Sequence, residues 1–153
     1  MTDAPGLANR FNPHFYYLLS HRDGRSTLKF ALRAEATAEM YVEWRDGATP
    51  YRVGPSVWLQ NGKLLLTGGK PLLDLPAGQW VRFEMTVGLG QTATGTWNLA
   101  VTLPGQEPRR FDQLPCVSAD WKTLEWLGFV SNANGKTAFW LDDIELGNVA
   151  GTR

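Results

Sequence analysis

The sequence has one cysteine, no net charge and no long hydrophobic run. Cys116 is the single cysteine among 153 residues, which excludes an internal disulfide and a zinc site built from several cysteines. Lys and Arg together number 15, as do Asp and Glu, whereas nucleic-acid-binding domains normally carry a basic excess. No stretch approaches the roughly 18 apolar residues of a membrane-spanning helix. We therefore expect neither a nucleic-acid partner nor a membrane partner.

Helical patterning is also lacking, while turn signals recur at short intervals. The chain contains 16 Gly and 9 Pro. Dipeptides such as Asp-Gly, Asn-Gly and Gly-Gly separate apolar or alternating runs, for example after Asp23, Asp46, Asn61 and Asn134. Such spacing is typical of short strands joined by hairpins. One helical turn, over residues 120–126, is the most helix that we expect.

Alternation of apolar and polar residues predicts about ten strands. Leu28, Phe30 and Leu32 share one side of their strand, for example, while Lys29 and Arg33 share the other. The predicted strands cover residues 15–19, 26–33, 39–45, 53–60, 63–67, 79–87, 96–103, 111–114, 124–131 and 137–146. About ten half-buried strands are too many for a single open sheet. We therefore expect them to pack as two sheets face to face.

We therefore predict an all-β fold, a two-sheet antiparallel sandwich of the jelly-roll type. Residues 1–153 should form a single domain, because no linker, repeat or low-complexity tract interrupts them. Residues 1–12 and 148–153 are expected to be loose tails.

The second half of the chain resembles a known superfamily. It contains LPAGQW at 75–80 before a strand, LGFVSN at 127–132 and FWLDDIEL at 139–146. Over residues 54–146 it is similar to the concanavalin A-like lectin/glucanase superfamily, in particular the laminin-G-like and carbohydrate-binding jelly rolls of polysaccharide-degrading enzymes. The resemblance implies a concave sheet with loops around its rim and a polysaccharide or glycan as ligand. We expect an extracellular or periplasmic domain with neighbouring domains of a longer chain as further partners, although residues 1–6 lack the features of a signal peptide.

Two strand faces carry the side chains that sugar binding needs. Sugars present apolar C–H faces, which stack on flat rings, and hydroxyls, which pair with planar polar groups. If both faces belong to one concave sheet, they would form a groove floor. The alternative is a solvated sheet with cross-strand ion pairs. The candidate ligand-binding residues are Tyr41, Glu43 and Arg45 on one strand, and Trp80, Arg82 and Glu84 on another.

Arg52 and Trp121 extend this candidate surface. Arg52 follows a dense polar cluster at 43–46, where two arginines would favour an acidic sugar and where Glu–Arg contacts would equally fasten a hairpin turn. Trp121 lies in a predicted loop and is expected at the exposed rim. Trp44 and Trp97, by contrast, share strand faces with Val, Leu and Met and are expected in the core.

Asp142 and Asp143 are candidate ligands for a structural calcium ion. Paired acids near the end of jelly-roll modules often serve this purpose, and calcium needs six to eight oxygen ligands. No loop shows a dense Asp/Asn pattern, so capping and turn bonding are the alternative. His14 and His21 lack an accompanying acid cluster and are expected to be structural.

The sequence offers no catalytic residues that we would assign. The closely spaced Glu pair of retaining glycosidases and the serine nucleophile elbow are both missing. Tyr41 with Arg45, or His14, could serve a lyase, but the motifs of alginate-type lyases are absent. We therefore predict a non-catalytic carbohydrate-binding module. A glycan-degrading enzyme of the same fold and a structural or interaction domain of a larger exported protein are the alternatives.

Overall fold

The computed structural model describes residues 1–150, which form twelve strands and one short 3₁₀ helix. The helix covers Gly90–Thr92. The strands are β1 (Thr2–Asp3), β2 (His14–His21), β3 (Gly24–Ala34), β4 (Met40–Arg45), β5 (Val53–Gln60), β6 (Lys63–Leu66), β7 (Pro71–Asp74), β8 (Val81–Leu89), β9 (Thr96–Thr102), β10 (Arg109–Pro115), β11 (Leu124–Ser131) and β12 (Thr137–Val149).

The strands form two antiparallel six-stranded sheets, which confirms the predicted sandwich. The first sheet has the order β1-β12-β3-β8-β9-β10 and the second the order β2-β11-β4-β5-β6-β7. Hairpins between successive strands build β4 to β7, whereas β11 arrives from far along the chain and lies between β2 and β4. The second sheet therefore combines three separate regions of the sequence.

The core consists of the apolar faces that alternation predicts. In β3, β4 and β8 the buried and accessible positions alternate as expected, so that Met40, Val42 and Trp44 are buried between the sheets. Trp97 is buried as well, and its indole Nε1 donates a hydrogen bond to the Pro115 carbonyl oxygen at 3.1 Å. This bond replaces the one that the indole N–H would make to water, whereas the buried N–H group of Trp44 has no partner among the described residues.

The predicted loose tail over residues 1–12 contains one short strand. Thr2 and Asp3 pair with β12, and Asp3 is only 2% exposed. Its carboxylate accepts hydrogen bonds from the Ser131 hydroxyl at 2.6 Å and from the Ala4 amide at 2.8 Å, so that each of its oxygens has a partner. At the other end, β12 continues to Val149, while residues 151–153 of the predicted tail lie outside the described residues.

Two local expectations also need correction. Residues 120–126 form no helical turn, because β11 already begins at Leu124. The short strand β7 was not predicted, because its four residues show no alternation and, unlike the equally short β6, it does not follow an Asn-Gly hairpin signal. Within the described residues, no helix has the length and apolar character needed to cross a membrane.

Candidate functional site

The outer face of the second sheet is arranged in cross-strand rows. Successive side chains of a strand point to opposite faces, so burial of the even-numbered residues of β4 leaves Tyr41, Glu43 and Arg45 on the outside. Residues that pair directly across strands share a face. The rows are His14–Val130–Tyr41–Trp58, then Tyr16–Gly128–Glu43–Ser56, then Leu18–Trp126–Arg45.

Stacked planar side chains run across these rows, and we call them the planar ladder (His14, Tyr16, Trp126, Arg45 and Tyr51). The Arg45 guanidinium lies 4.1 Å from the ring centre of Trp126 and 4.2 Å from that of Tyr51. Trp126 also stacks on Tyr16, with ring centres 5.6 Å apart, and Tyr16 stacks on His14. Tyr16 is 48% exposed and Tyr51 is 50% exposed. Both tyrosines therefore offer ring surface to a ligand while their neighbours hold them in place.

Gly128 makes room for the ladder. A Cβ atom built on Gly128 would lie 2.0 Å from Cη2 of Trp126, far inside van der Waals contact. The far edge of the indole thus occupies the position where any other residue would carry its side chain. Glycine is needed here for space and not for a positive φ angle, because Gly128 is not among the residues with one.

Glu43 and Arg45 form a shielded ion pair within the ladder. Nε of Arg45 donates to Oε1 of Glu43 at 2.5 Å, and the two side chains are only 22% and 13% exposed, respectively. Burial raises the pKa of the neighbouring Tyr41 hydroxyl, and the charge of Glu43 raises it further, against a smaller opposing effect of Arg45. Tyr41 therefore stays protonated, with its ring stacked on Trp58 at 4.3 Å.

Ser56 lies in the same row as Glu43. The residue is 2% exposed, and its hydroxyl has no hydrogen-bond partner among the described residues. A buried hydroxyl without a partner is destabilising by about 1–3 kcal/mol. The indole N–H groups of Trp44 and Trp121 in the core are unpartnered in the same way, so this property does not by itself mark a ligand site.

Arg52, predicted as a second ligand-binding arginine beside Arg45, is engaged by two carboxylates. Nη1 of Arg52 donates to Asp120 at 2.9 Å, and its Nε donates to Asp46 at 2.5 Å. Burial alone would raise the pKa of Asp46, but hydrogen bonds from the backbone and side chain of Arg52 and from the Ala48 amide outweigh it and lower this pKa overall. Arg52 thus fastens the loop between β4 and β5, which is the hairpin role that we had considered for it.

Trp121 is not at the rim, contrary to our expectation. It is 1% exposed and packs edge-on against Trp44, with ring centres 6.5 Å apart. A Cβ atom on Gly54 would lie 2.4 Å from the Trp121 ring, so the absence of a side chain in β5 admits the indole. The loop position of Trp121 in the sequence gave no sign of this gap.

The second predicted triplet lies on the opposite side of the sandwich. Arg82 and Glu84 belong to β8 of the first sheet, with Trp80 just before it, so the two triplets do not form one groove floor. Arg82 and Glu84 instead border a cleft of about 440 Å³ over the outer face of the first sheet. Its charged lining residues are the cations Lys29, Arg82 and Arg110 and the anions Glu84, Asp143 and Glu145.

Asp142 and Asp143 lie at an irregularity of β12, where the register with β3 shifts. The Asp142 carboxylate accepts a hydrogen bond from the Asp143 amide at 2.9 Å, and Asp143 has a φ angle of 49°. Across residues 1–150, no three His, Cys, Asp or Glu side chains are grouped so that they could hold a metal ion. These contacts are turn bonding, and the calcium ion stays a prediction.

The sequence analysis missed Tyr16, Tyr51, Trp126 and Ser56. Alternation within β11 does place Trp126 on the face opposite Leu127 and Phe129. However, no local pattern predicts that β11 lies beside β4, because the two strands are distant in sequence.

Comparison with known proteins identifies the fold. No protein-family profile matches the chain, and no curated protein sequence matches it. The endo-β-1,4-glucuronan lyase of the fungus Trichoderma reesei aligns with 97% of this chain and 79% of its own, at 13% identity and a TM-score of 0.59. A marine alginate lyase from Aplysia kurodai aligns with 97% and 98%, at 7% identity and a TM-score of 0.54. A carbohydrate esterase of the Shiga toxin-encoding bacteriophage phi24B aligns with 90% and 75%, at 9% identity and a TM-score of 0.53. At such identities the likeness establishes the fold alone.

Proposed function

We propose that this chain, a jelly roll of the concanavalin A-like lectin/glucanase fold, binds a carbohydrate on the outer face of its second sheet without catalysing a reaction on it. The observation that carries the proposal is the planar ladder, which presents two half-exposed tyrosine rings beside a shielded Glu43–Arg45 pair. Rings stack on the C–H faces of sugars, and a fixed carboxylate with a fixed guanidinium can exchange hydrogen bonds with their hydroxyls.

The dimensions of this face suit an oligosaccharide segment. Adjacent strands are spaced by about 4.8 Å, so the rows from β2 to β5 extend over about 14 Å. The ligand would lie across the strands, along the row that runs from Tyr16 over Gly128 to Glu43.

The structural relatives support a glycan as the class of ligand. Two of them are lyases named for glucuronan and alginate, and a third is a carbohydrate esterase. We extend this class to the present chain, together with an extracellular or periplasmic location, on the strength of the shared fold and the planar ladder.

The same site supports binding better than lyase chemistry. A lyase needs a base that gives up its proton near neutral pH and a cation that neutralises the uronate carboxylate. The pKa of Tyr41 is raised instead, first by burial and then by Glu43. The charge of Arg45 is already opposed by Glu43 at 2.5 Å. Neither residue is therefore prepared for that role.

The test is a pull-down with insoluble polysaccharides, together with a glycan array, in buffers with calcium and with a chelator. We expect selective binding by the unaltered protein and a loss of about tenfold or more in affinity for Tyr16→Ala and Tyr51→Ala, since each removes a half-exposed ring. Trp140→Ala is the matched control, because Trp140 is 41% exposed but lies on the first sheet.

Equal losses in all three variants, or none in the tyrosine variants, would contradict the assignment of the site. Each polysaccharide is also incubated with the protein while the ultraviolet absorbance of unsaturated products and the reducing ends are followed. Turnover that Tyr41→Phe abolishes would replace the binding proposal by the lyase alternative.

A further inference from the structure

Every Asp, Glu, Lys and Arg in the strands of the second sheet takes part in an ion pair. The distances between the paired atoms are 2.5 Å for Glu43–Arg45, 2.7 Å for Lys63–Asp74 and 3.3 Å for Glu125 with Arg22, which lies just after β2. Arg52, in the adjoining loop, is held between two carboxylates. Among the described residues, the strands of the second sheet therefore contain no cation without a carboxylate neighbour. Arg10, Lys70 and Lys122, in loops next to these strands, are not part of these ion pairs.

The first sheet of the same protein differs in this respect. In the part of the chain that the structure describes, Lys29 and Glu145, at 4.0 Å, form the one ion pair among the charged residues of its strands. Those residues are Asp3, Arg25, Lys29, Arg33, Arg82, Glu84, Arg109, Arg110, Asp112, Asp142, Asp143 and Glu145. The pairing on the second sheet is thus a property of that face and not of the whole surface.

A sugar carboxylate would meet an unfavourable environment on the planar ladder. To reach the Arg45 guanidinium it would have to lie beside the Glu43 carboxylate, which is only 13% exposed, or displace it. Two carboxylates sharing one cation in a partly desolvated site repel each other, and burying a charge without its own partner is costly. A neutral sugar avoids both penalties, since its hydroxyls can donate to Glu43 and accept from Arg45 without altering the pair.

We propose, on the basis of the carbohydrate-binding function above, that this face selects neutral glycans over those that carry uronate or sulfate groups. Glu43 is the residue that sets the selectivity, because it cancels the charge of Arg45 in the middle of the ladder. The expected ligand therefore differs from the uronate polymers for which the two related lyases are named.

The first experiment measures the affinity of the unaltered protein for neutral polysaccharides (glucans, xylans, mannans, galactans) and for acidic ones (polyglucuronate, alginate, pectate, sulfated galactans). We expect binding to a neutral member at least about tenfold tighter than to any acidic member. We also expect this affinity to change by less than about twofold between low and high salt, since screening acts on charge–charge attraction. Binding of acidic polymers alone, or equal binding of both classes, would overturn the selectivity while leaving the carbohydrate-binding function intact. Absence of binding to every member would overturn that function and the selectivity with it.

The second experiment compares Glu43→Gln with Glu145→Gln. Both variants remove one negative charge, but the first frees Arg45 on the ladder and the second frees Lys29 on the opposite sheet. Glu43→Gln should gain at least about tenfold in affinity for uronate polymers, and the gain should disappear at high salt. Glu145→Gln should show no such gain.

An equal gain in affinity for uronate polymers in both variants would show that the effect comes from net charge alone. No gain in Glu43→Gln would show that Glu43 does not determine the selectivity. Circular dichroism and thermal unfolding verify that both variants are folded. The measurements on the unaltered protein test the selectivity even if Glu43→Gln does not fold.

Discussion

The substitution Gly128→Ala tests whether the planar ladder depends on the missing side chain beneath Trp126. The new Cβ atom would lie 2.0 Å from Cη2 of Trp126, so the indole must move. Because Trp126 is only half-buried, the ring can swing toward solvent, and the β-sheet need not deform. It would then leave both Tyr16 and Arg45.

The magnitude follows from the contacts that are lost. The aromatic pair with Tyr16 contributes about 0.5–1.5 kcal/mol and the cation–π contact with Arg45 about 0.5–1 kcal/mol. Replacing Gly by Ala also stabilises the folded protein by about 0.4–1 kcal/mol, because the unfolded chain then has fewer conformations. We therefore expect the free energy of unfolding to fall by about 0.5–1.5 kcal/mol, which lowers Tm by about 1–6 °C in a domain of this size. Glycan affinity should fall much more, since the ladder is the proposed binding surface.

The assay is thermal and urea unfolding, with near-ultraviolet circular dichroism to report on the tryptophan environment. Gly147→Ala is the control, because Gly147 also lies in a strand but a Cβ atom there meets nothing within 4 Å. If Gly128→Ala matches this control in Tm, in its near-ultraviolet spectrum and in glycan affinity, then Trp126 is not held over Gly128 and our account of the ladder is wrong.

Three further predictions concern the framework of the site. Gly54→Ala should cost about 1–3 kcal/mol in urea unfolding, because its Cβ atom meets the buried Trp121; an unchanged midpoint would contradict this packing. Asp46→Asn should cost about 1.5–3 kcal/mol, because it weakens charged hydrogen bonds to Arg52. Since the folded-state pKa of Asp46 is lowered, this stabilisation is present above its unfolded pKa of about 3.9 and is lost as the pH falls through the folded value, so the variant should show a flatter stability profile in acid than the unaltered protein. Burial raises the pKa of the Cys116 thiol to about 11, so an aromatic disulfide reagent at pH 8 should modify Cys116 only as the protein unfolds; prompt reaction of the native protein would refute its burial.

The sandwich could be predicted from the sequence because burial in a β-sheet has a period of two. The alternation of β3, β4 and β8 is visible in the sequence, and turn residues on both sides of each strand mark where it begins and ends. The same rule correctly placed Tyr41, Glu43 and Arg45 on an accessible face. The short strands β1 and β7 do not show this signal, whereas β6, which is as short as β7, was predicted from the Asn61-Gly62 hairpin before it.

The composition of the site could not be predicted, because it depends on which strands are neighbours. Trp80 and Arg82 have the same local pattern as Tyr41 and Glu43, yet they belong to the other sheet. Trp126 meets Arg45 only because β11 lies beside β4. Trp121 is buried through a gap at Gly54 that no alternation pattern shows. In each case the deciding contact joins residues far apart in the chain.

The position of β11 has a consequence for how the proposed binding face forms during folding. Gly128 pairs with Tyr16 and with Glu43, which precede it by 112 and 85 positions. Pairings of such long range form late and slowly, because the loops between them must first be closed at the expense of chain entropy. The β4–β7 meander can assemble early from local hairpins, but it contains only part of the planar ladder. Under the proposed function, recovery of glycan binding during refolding should therefore coincide with the insertion of β11 and lag behind the first appearance of β-structure.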